Sequence, residues 1–124
     1  MKANPLIFAL AKPYPEIDPA EAKRARPDAI IATNRTDMSN ALNNMMCFPF
    51  LFRGALDTRA IKINYEMKFA VAFALAELAR EPVYEEVEAA YGRKLAFGPE
   101  YIVPTVWDSR LLTRIAPLVA KTAM

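Results

Sequence analysis

Residues 6–33 read Leu6-Ile7-Phe8-Ala9-Leu10-Ala11-Lys12-Pro13-Tyr14-Pro15-Glu16-Ile17-Asp18-Pro19-Ala20-Glu21-Ala22-Lys23-Arg24-Ala25-Arg26-Pro27-Asp28-Ala29-Ile30-Ile31-Ala32-Thr33. Two short apolar runs, Leu6 to Leu10 and Ala29 to Thr33, bracket a polar middle. Each run has the length of a buried parallel strand, the second with paired β-branched residues, and neither is long enough for a stable helix. Pro13 and Pro15 close the first run, because the proline ring fixes φ and removes a backbone donor. In the middle, Asp18 can cap free N–H groups, Pro19 suits the first helical position, and Glu21 sets an acid near the positive end of the helix dipole. A short helix to about Ala25 follows, stopped by Pro27. A strand, helix, strand order requires a crossover between parallel strands, and such crossovers are right-handed. The stretch therefore predicts an α/β fold, part of a doubly wound, Rossmann-like parallel sheet.

Outward from this unit the chain turns helical. After a polar loop, Asn34 to Asn40, an apolar segment from Met45 to Leu56 contains Pro49, which is expected to bend or restart a helix. Asn64 can cap a long helix from Tyr65 to about Arg80, with Met67, Val71, Leu75 and Leu78 as its apolar stripe. Phe69 and Phe73 widen that stripe toward a helix buried on most sides. Pro82 ends the element, and Tyr84 to Tyr91 makes a short helix closed by Gly92. Asp108 is placed to cap a last helix running toward Lys121 and bent near Pro117. Two strands against about five helices is an incomplete inventory, because a two-stranded parallel sheet leaves edges unpaired. With no repeat, linker or low-complexity tract in the sequence, residues 1–124 read as one helix-rich domain whose missing strands lie elsewhere. A fragment, a shortened homologue or an obligate oligomer would each account for it.

Composition narrows the function classes. With 54% apolar and 24% charged residues the chain is expected to fold. Its 16 basic and 14 acidic residues are interspersed, for a net charge of +2, so no basic stripe collects nucleic acid. The absence of histidine excludes serine-histidine and cysteine-histidine catalysis and removes the commonest transition-metal ligand. The single cysteine, Cys47, lies between Met46 and Phe48, which predicts a small buried hydrophobe and suits a reducing compartment. The first apolar run is too short for a signal peptide and no segment has the length of an uncharged membrane span, so a cytoplasmic location is expected.

In an open parallel sheet, ligands gather beyond the carboxyl ends of the strands, here the loops Ala11 to Pro15 and Thr33 to Asn44. The second holds Asn34, Arg35, Thr36, Asp37, Asn40, Asn43 and Asn44, and the Asn43-Asn44 pair begins a helix where amides and backbone donors could meet a carboxylate or carboxamide. The same residues equally suit capping and turn formation. Glu85, Glu86 and Glu88 read as a solvated helix face, Arg53 and Arg59 as partners for surface carboxylates, and Trp107 as a packing anchor.

An ordered series of motifs adds a family. Phe8-Ala9-Leu10-Ala11-Lys12-Pro13, Pro15-Glu16-Ile17, Arg26 through Asp37, and Asn43-Asn44-Met45-Met46-Cys47-Phe48-Pro49-Phe50-Leu51-Phe52-Arg53-Gly54-Ala55-Leu56-Asp57 resemble malic enzymes of the bacterial, NADP-dependent type. The likeness continues through Asn64-Tyr65-Glu66-Met67-Lys68, Phe97-Gly98-Pro99 and Ile115-Ala116-Pro117, covering essentially the whole chain. The resemblance implies the C-terminal half of the nucleotide-binding domain of an enzyme that oxidatively decarboxylates L-malate to pyruvate and carbon dioxide, with NADP and magnesium or manganese. It places Asn44, with Asn43 and Lys12, at the malate and nicotinamide site, and Thr33 and Asn34 on the cofactor side. Lys12 stands where the family has asparagine and Asn34 where it has glycine; a lysine cannot make the paired donor and acceptor contacts of an amide.

The family's glycine-rich phosphate loop, its tyrosine and lysine acid-base pair and its carboxylate metal ligands lie upstream of the matched region. The resemblance thus implies no catalytic residue, no metal ligand and no bound cofactor in this chain alone. The residues agree, since the only glycines are Gly54, Gly92 and Gly98, and none forms a G-x-G-x-x-G turn. Two functions follow. One is a malic-enzyme piece, inactive until joined to its missing half; the other is a non-catalytic protein that self-associates or binds a partner through its incomplete sheet. The expected partner is a second copy of the chain, as a homo-oligomer, or the missing half of the parent enzyme, because Phe50, Phe52, Phe69 and Phe73 would face absent strands or a neighbouring subunit.

Overall fold

The computed structural model describes all 124 residues. Strand β1 (Leu6–Ala9) pairs in parallel with β2 (Ile30–Thr33), Leu6 beside Ile30 and Ala9 beside Thr33. The crossover carries α1 (Pro19–Ala25), whose start follows from the sequence: Asp18 Oδ1 accepts from the N–H of Ala20 at 2.8 Å and of Glu21 at 3.3 Å. Ala22 of α1 packs on Ala29 and Ile31, with Ile7 beside them, so one face of the sheet is covered. The other is not. Leu6 and Phe8 are 57% and 52% exposed, which corrects the expectation of a fully buried first strand. An apolar strand is buried on both faces only when both faces have a covering layer, and here the chain supplies one.

The N-terminal residues are tied to the entrance of β2. Arg26 forks onto Asp28 through two hydrogen bonds of 2.9 Å and also donates to the Lys2 carbonyl at 3.0 Å, while Asp28 accepts from the Asn4 N–H at 2.8 Å. The guanidinium holds the Asp28 carboxyl well below the usual carboxylate range.

Beyond β2 the chain makes a tight excursion and returns, with Ala41 bridged to Thr33. The Leu42 N–H donates to the Thr33 carbonyl at 2.7 Å, and the Thr33 N–H to the Asn40 carbonyl at 3.3 Å. Asn40 adopts a left-handed φ of 53°, a conformation that asparagine tolerates better than most residues. Its buried amide donates to the carbonyls of Ile31 at 3.0 Å and Pro99 at 2.8 Å and accepts from the Ile102 N–H at 2.8 Å. One side chain therefore joins β2 to the 98–102 loop.

The remainder is a helical layer: a 3-10 turn (Asn44–Met46), α2 (Phe48–Asp57), α3 (Tyr65–Arg80), α4 (Glu85–Tyr91) and α5 (Arg110–Ala123). Pro49 lies in the first turn of α2, where its missing N–H costs nothing, so it begins this helix rather than bending one. Asn64 caps α3 through a 2.9 Å hydrogen bond from the Met67 N–H, and Gly92 ends α4 at φ 67°. Ser109 precedes α5, and Asp108 one residue earlier accepts from the Arg110 N–H at 3.0 Å. The main core joins Met46 and Leu51 to Met67, Val71 and Leu78 of α3 and to Leu111, Ile115 and Val119 of α5.

Four expectations are corrected on burial. Phe69 and Phe73 are 61% and 66% exposed, so α3 buries one stripe, not most of its circumference. Trp107 is 64% exposed and anchors nothing, whereas Phe50 packs partly buried against the core instead of facing outward. Cys47 is only half-buried. In place of Trp107 the α5 entrance is fixed by charge. The Arg110 side chain, 7% exposed, forks onto a fully buried Asp108 at 3.0 and 2.8 Å, donates to the Pro82 carbonyl at 2.9 Å and lies 4.5 Å from the Tyr84 ring centroid. Desolvation on this scale is tolerated because each buried charge has its partner and hydrogen bonds. No helix is long and apolar enough to cross a membrane.

Candidate functional site

Asn43 precedes the 3-10 turn in an extended conformation, and its Oδ1 accepts from the Met45 N–H at 3.0 Å. That bond fixes which way the amide faces, so its Nδ2 is turned to Asn34, donating to the backbone carbonyl at 3.0 Å and to Oδ1 at 3.1 Å. Asn43 is thus engaged on both sides within the chain. Asn34 keeps its amide N–H₂ group, and the exposed Asn44 keeps its whole side-chain amide; only its backbone carbonyl is used, by the Cys47 N–H at 3.1 Å and the Cys47 Sγ at 3.5 Å. Burial pushes the Cys47 thiol up, so it stays protonated at neutral pH.

These asparagines meet at a depression of about 460 Å³ at the carboxyl end of the strands. Leu10 closes it from the end of β1, Leu42, Met46 and Cys47 from below, and Lys68, Val71 and Leu75 from α3. The structure brings Asn34, Asn43 and Asn44 together, as their position after a parallel strand predicts. It does not add Thr33 or Lys12. Thr33 is buried with its Oγ1 accepting from the Arg35 N–H at 3.3 Å, and it lines a different depression, of about 370 Å³, with Lys23, Ile31 and Ser39. Successive residues of a strand point to opposite faces, so neighbouring Thr33 and Asn34 serve opposite sides of the sheet. Lys12 is exposed in the β1 to α1 loop and lines neither hollow.

Lys68 is a site residue that sequence reading alone passed over. Within its helix it is one more solvated lysine, and only the packing of α3 beside the Asn44 turn brings it to the depression. Its ammonium lies 4.9 Å from the Tyr65 ring centroid. The other polar residues of the second loop are structural: Arg35 forks onto Asp37, which lowers the Asp37 carboxyl, and Asn40 is the buried tie described above. Arg53 pairs with Asp57 at 2.9 Å, one helical turn on, while Arg59 sits at φ 53° in the turn after α2. Glu85 and Glu86 are exposed at the start of α4, and Glu88 accepts from the Leu95 N–H at 2.8 Å.

No group of three or more Cys, Asp or Glu side chains is gathered closely enough to hold a metal ion. Nor does any glycine form a phosphate cradle: Gly54 lies inside α2, Gly92 ends α4, and Gly98 pairs with Tyr101. The depression combines the amides of Asn34 and Asn44 with Lys68 over an apolar floor, a lining that suits binding of a small carboxylate or carboxamide.

The sequence matches no protein-family profile. Among characterised proteins, it is 56% identical to the NADP-dependent malic enzyme of Haemophilus influenzae, a match covering 100% of this chain and 16% of that protein. It is 53% identical to an NAD-dependent malic enzyme of Rhizobium meliloti, over 99% of this chain and 16% of the relative. Among solved structures it superposes on malic enzyme from Pyrococcus horikoshii with a TM-score of 0.80 and 39% identity, covering 100% of this chain and 25% of that one. The whole chain is therefore homologous to one segment of malic enzymes and spans about 16% of the length of these two relatives.

Proposed function

We propose that residues 1–124 are the C-terminal part of the NAD(P)-binding domain of a malic enzyme and form one wall of its malate and nicotinamide pocket. One observation carries the reading: within a whole-length match to malic enzymes, Asn34, Asn43 and Asn44 converge on an apolar-floored depression beyond the carboxyl ends of two parallel strands. Asn43 acts as the brace that orients the Asn34 amide, and Asn44 is the residue that reaches the ligand. The pyrophosphate of NADP and a magnesium or manganese ion do not fit the residues of this chain, which supply neither a glycine-rich turn nor a carboxylate cluster. Both would be held by residues outside this segment, so the chain alone carries no oxidative decarboxylation.

Calorimetric titration of the chain with L-malate and with NADP, each with manganese present, tests this. Saturable malate binding, with no reduced cofactor formed, is the expected outcome. Turnover by the isolated chain, or no heat from either ligand, would overturn it.

A second reading is favoured by one feature, the aromatic surface of α2 and α3, where Phe48, Phe52, Phe69 and Phe73 are exposed. Here the segment works by association, with another copy or with the remainder of the longer protein covering these rings. Light scattering separates the two: a self-associated chain that takes up no ligand supports this reading against the first.

A further inference from the structure

Resting on the reading of the depression as a ligand pocket, we infer that Lys68 makes it a carboxylate site, with the ammonium as the charge that selects an anionic ligand over a neutral amide. Lys68 is the only charged residue lining the depression; the rest of the wall is amide, thiol or hydrocarbon. It forms none of the chain's ion pairs, and its ammonium is held only by the face of Tyr65, a weak hold at an exposed position. The nearest acid along the helix, Glu66, is turned to a separate groove between Phe69 and Leu118.

The remaining hydrogen-bonding capacity has the same sense. Asn34 Oδ1 is taken by Asn43, which leaves the N–H₂ of Asn34 as a donor. Add the three ammonium donors of Lys68 and the amide of Asn44, and donors at the rim outnumber acceptors by a wide margin. A carboxylate, which only accepts, satisfies that set, whereas a carboxamide would set its own N–H₂ against it. Charge-assisted bonds to a carboxylate are also stronger than those between neutral partners. The ligand class is therefore a small carboxylic acid, its carboxylate taking the donors that Asn34, Asn44 and Lys68 leave free at the rim.

Titration of the unmodified chain and of Lys68→Gln, Lys68→Arg and Lys121→Gln with L-malate and with its neutral diamide tests the assignment. Lys121 is exposed on α5, away from the depression, and controls for net charge. The expected result is a loss of about tenfold or more in malate affinity for Lys68→Gln. Near-parent affinity in Lys68→Arg and Lys121→Gln, and diamide binding untouched by any of the three, complete the pattern. Added salt should weaken malate binding to the parent more than to Lys68→Gln. Equal malate affinity in the parent and Lys68→Gln, each folded by circular dichroism, would overturn the role of Lys68 while leaving the pocket intact. Failure of the parent to bind malate at all would overturn the pocket itself and this assignment with it.

Discussion

Asn43 and Asn44 are adjacent, identical in chemistry and opposite in employment. The first has its amide engaged by Met45 and Asn34, and the second lines the depression with its amide free. Their substitutions should therefore separate stability from binding. Asn43→Ala removes a cap and a side-chain tie, and should lower the unfolding free energy by about 1–2 kcal/mol in a urea titration. Asn44→Ala should leave the urea midpoint in place and abolish malate binding; a destabilised Asn44→Ala would show that its amide serves the fold instead. A second residue-scale effect is set by Tyr101, whose phenol is pushed up to about 12, first by burial and next by Asp108. Its folded value stands above the unfolded value of about 10, so its contribution to stability is fully present below pH 10 and is lost as pH rises toward 12. Neither its hydroxyl nor that of Thr105 has a partner in the chain. Tyr101→Phe should thus be tolerated at pH 7 and should flatten the fall in Tm between about pH 10 and 12; an unchanged fall would assign the alkaline transition to other groups.

At the level of elements, whatever depends on neighbours in sequence was legible in the sequence. Asp18 with Pro19 announced α1, Asn64 announced α3, and Gly92 announced the end of α4, because caps are settled within a few residues. What an element faces was not. Phe69 and Phe73 read both as a widening of the buried stripe and as rings facing absent strands or another subunit, because an apolar residue at helical spacing looks the same whether its cover is in this chain or in another; their exposure fits the second. Trp107 and Leu6 failed as burial expectations for the same reason, and Lys68 was invisible because its role depends on which helix lies beside which loop. Gly54 shows how close that packing is. A Cβ there would lie 2.5 Å from the Ala116 carbonyl oxygen and 2.7 Å from Val119 Cβ, so α2 and α5 touch through the missing side chain. Gly54→Ala gains helix propensity of about 1 kcal/mol but must push the two helices apart. The net effect should be destabilising by about 1–3 kcal/mol, read as a lower Tm. A rise in Tm would mean that the α2 and α5 contact yields.

For the molecule as a whole, the covered face of the sheet, the bare face and the aromatic surface of α2 and α3 describe a structure with apolar area left over. The sequence told of this through its strand count, since two strands do not make a doubly wound sheet, but could not tell which side would be bare. If the exposed rings drive association, replacing Phe69 and Phe73 together by Glu should shift the chain to monomer in light scattering without loss of helix content, because neither ring supports the internal core. An assembly that survives both charges would point to the bare sheet, with Phe8, as the contact instead.

The Asn40 amide joins β2, Pro99 and Ile102 through three bonds from one side chain. Segments 59 and 62 residues apart in sequence are thereby coupled, and their local opening becomes one event instead of two. In deuterium exchange the Ile102 amide should match the rate of the Thr33 amide, whose acceptor is the Asn40 carbonyl. Asn40→Ala should accelerate both together while the amides of α3 keep their protection. The slow clock of this protein would then be set by a single carboxamide in a loop that, by composition, looked ready for a ligand.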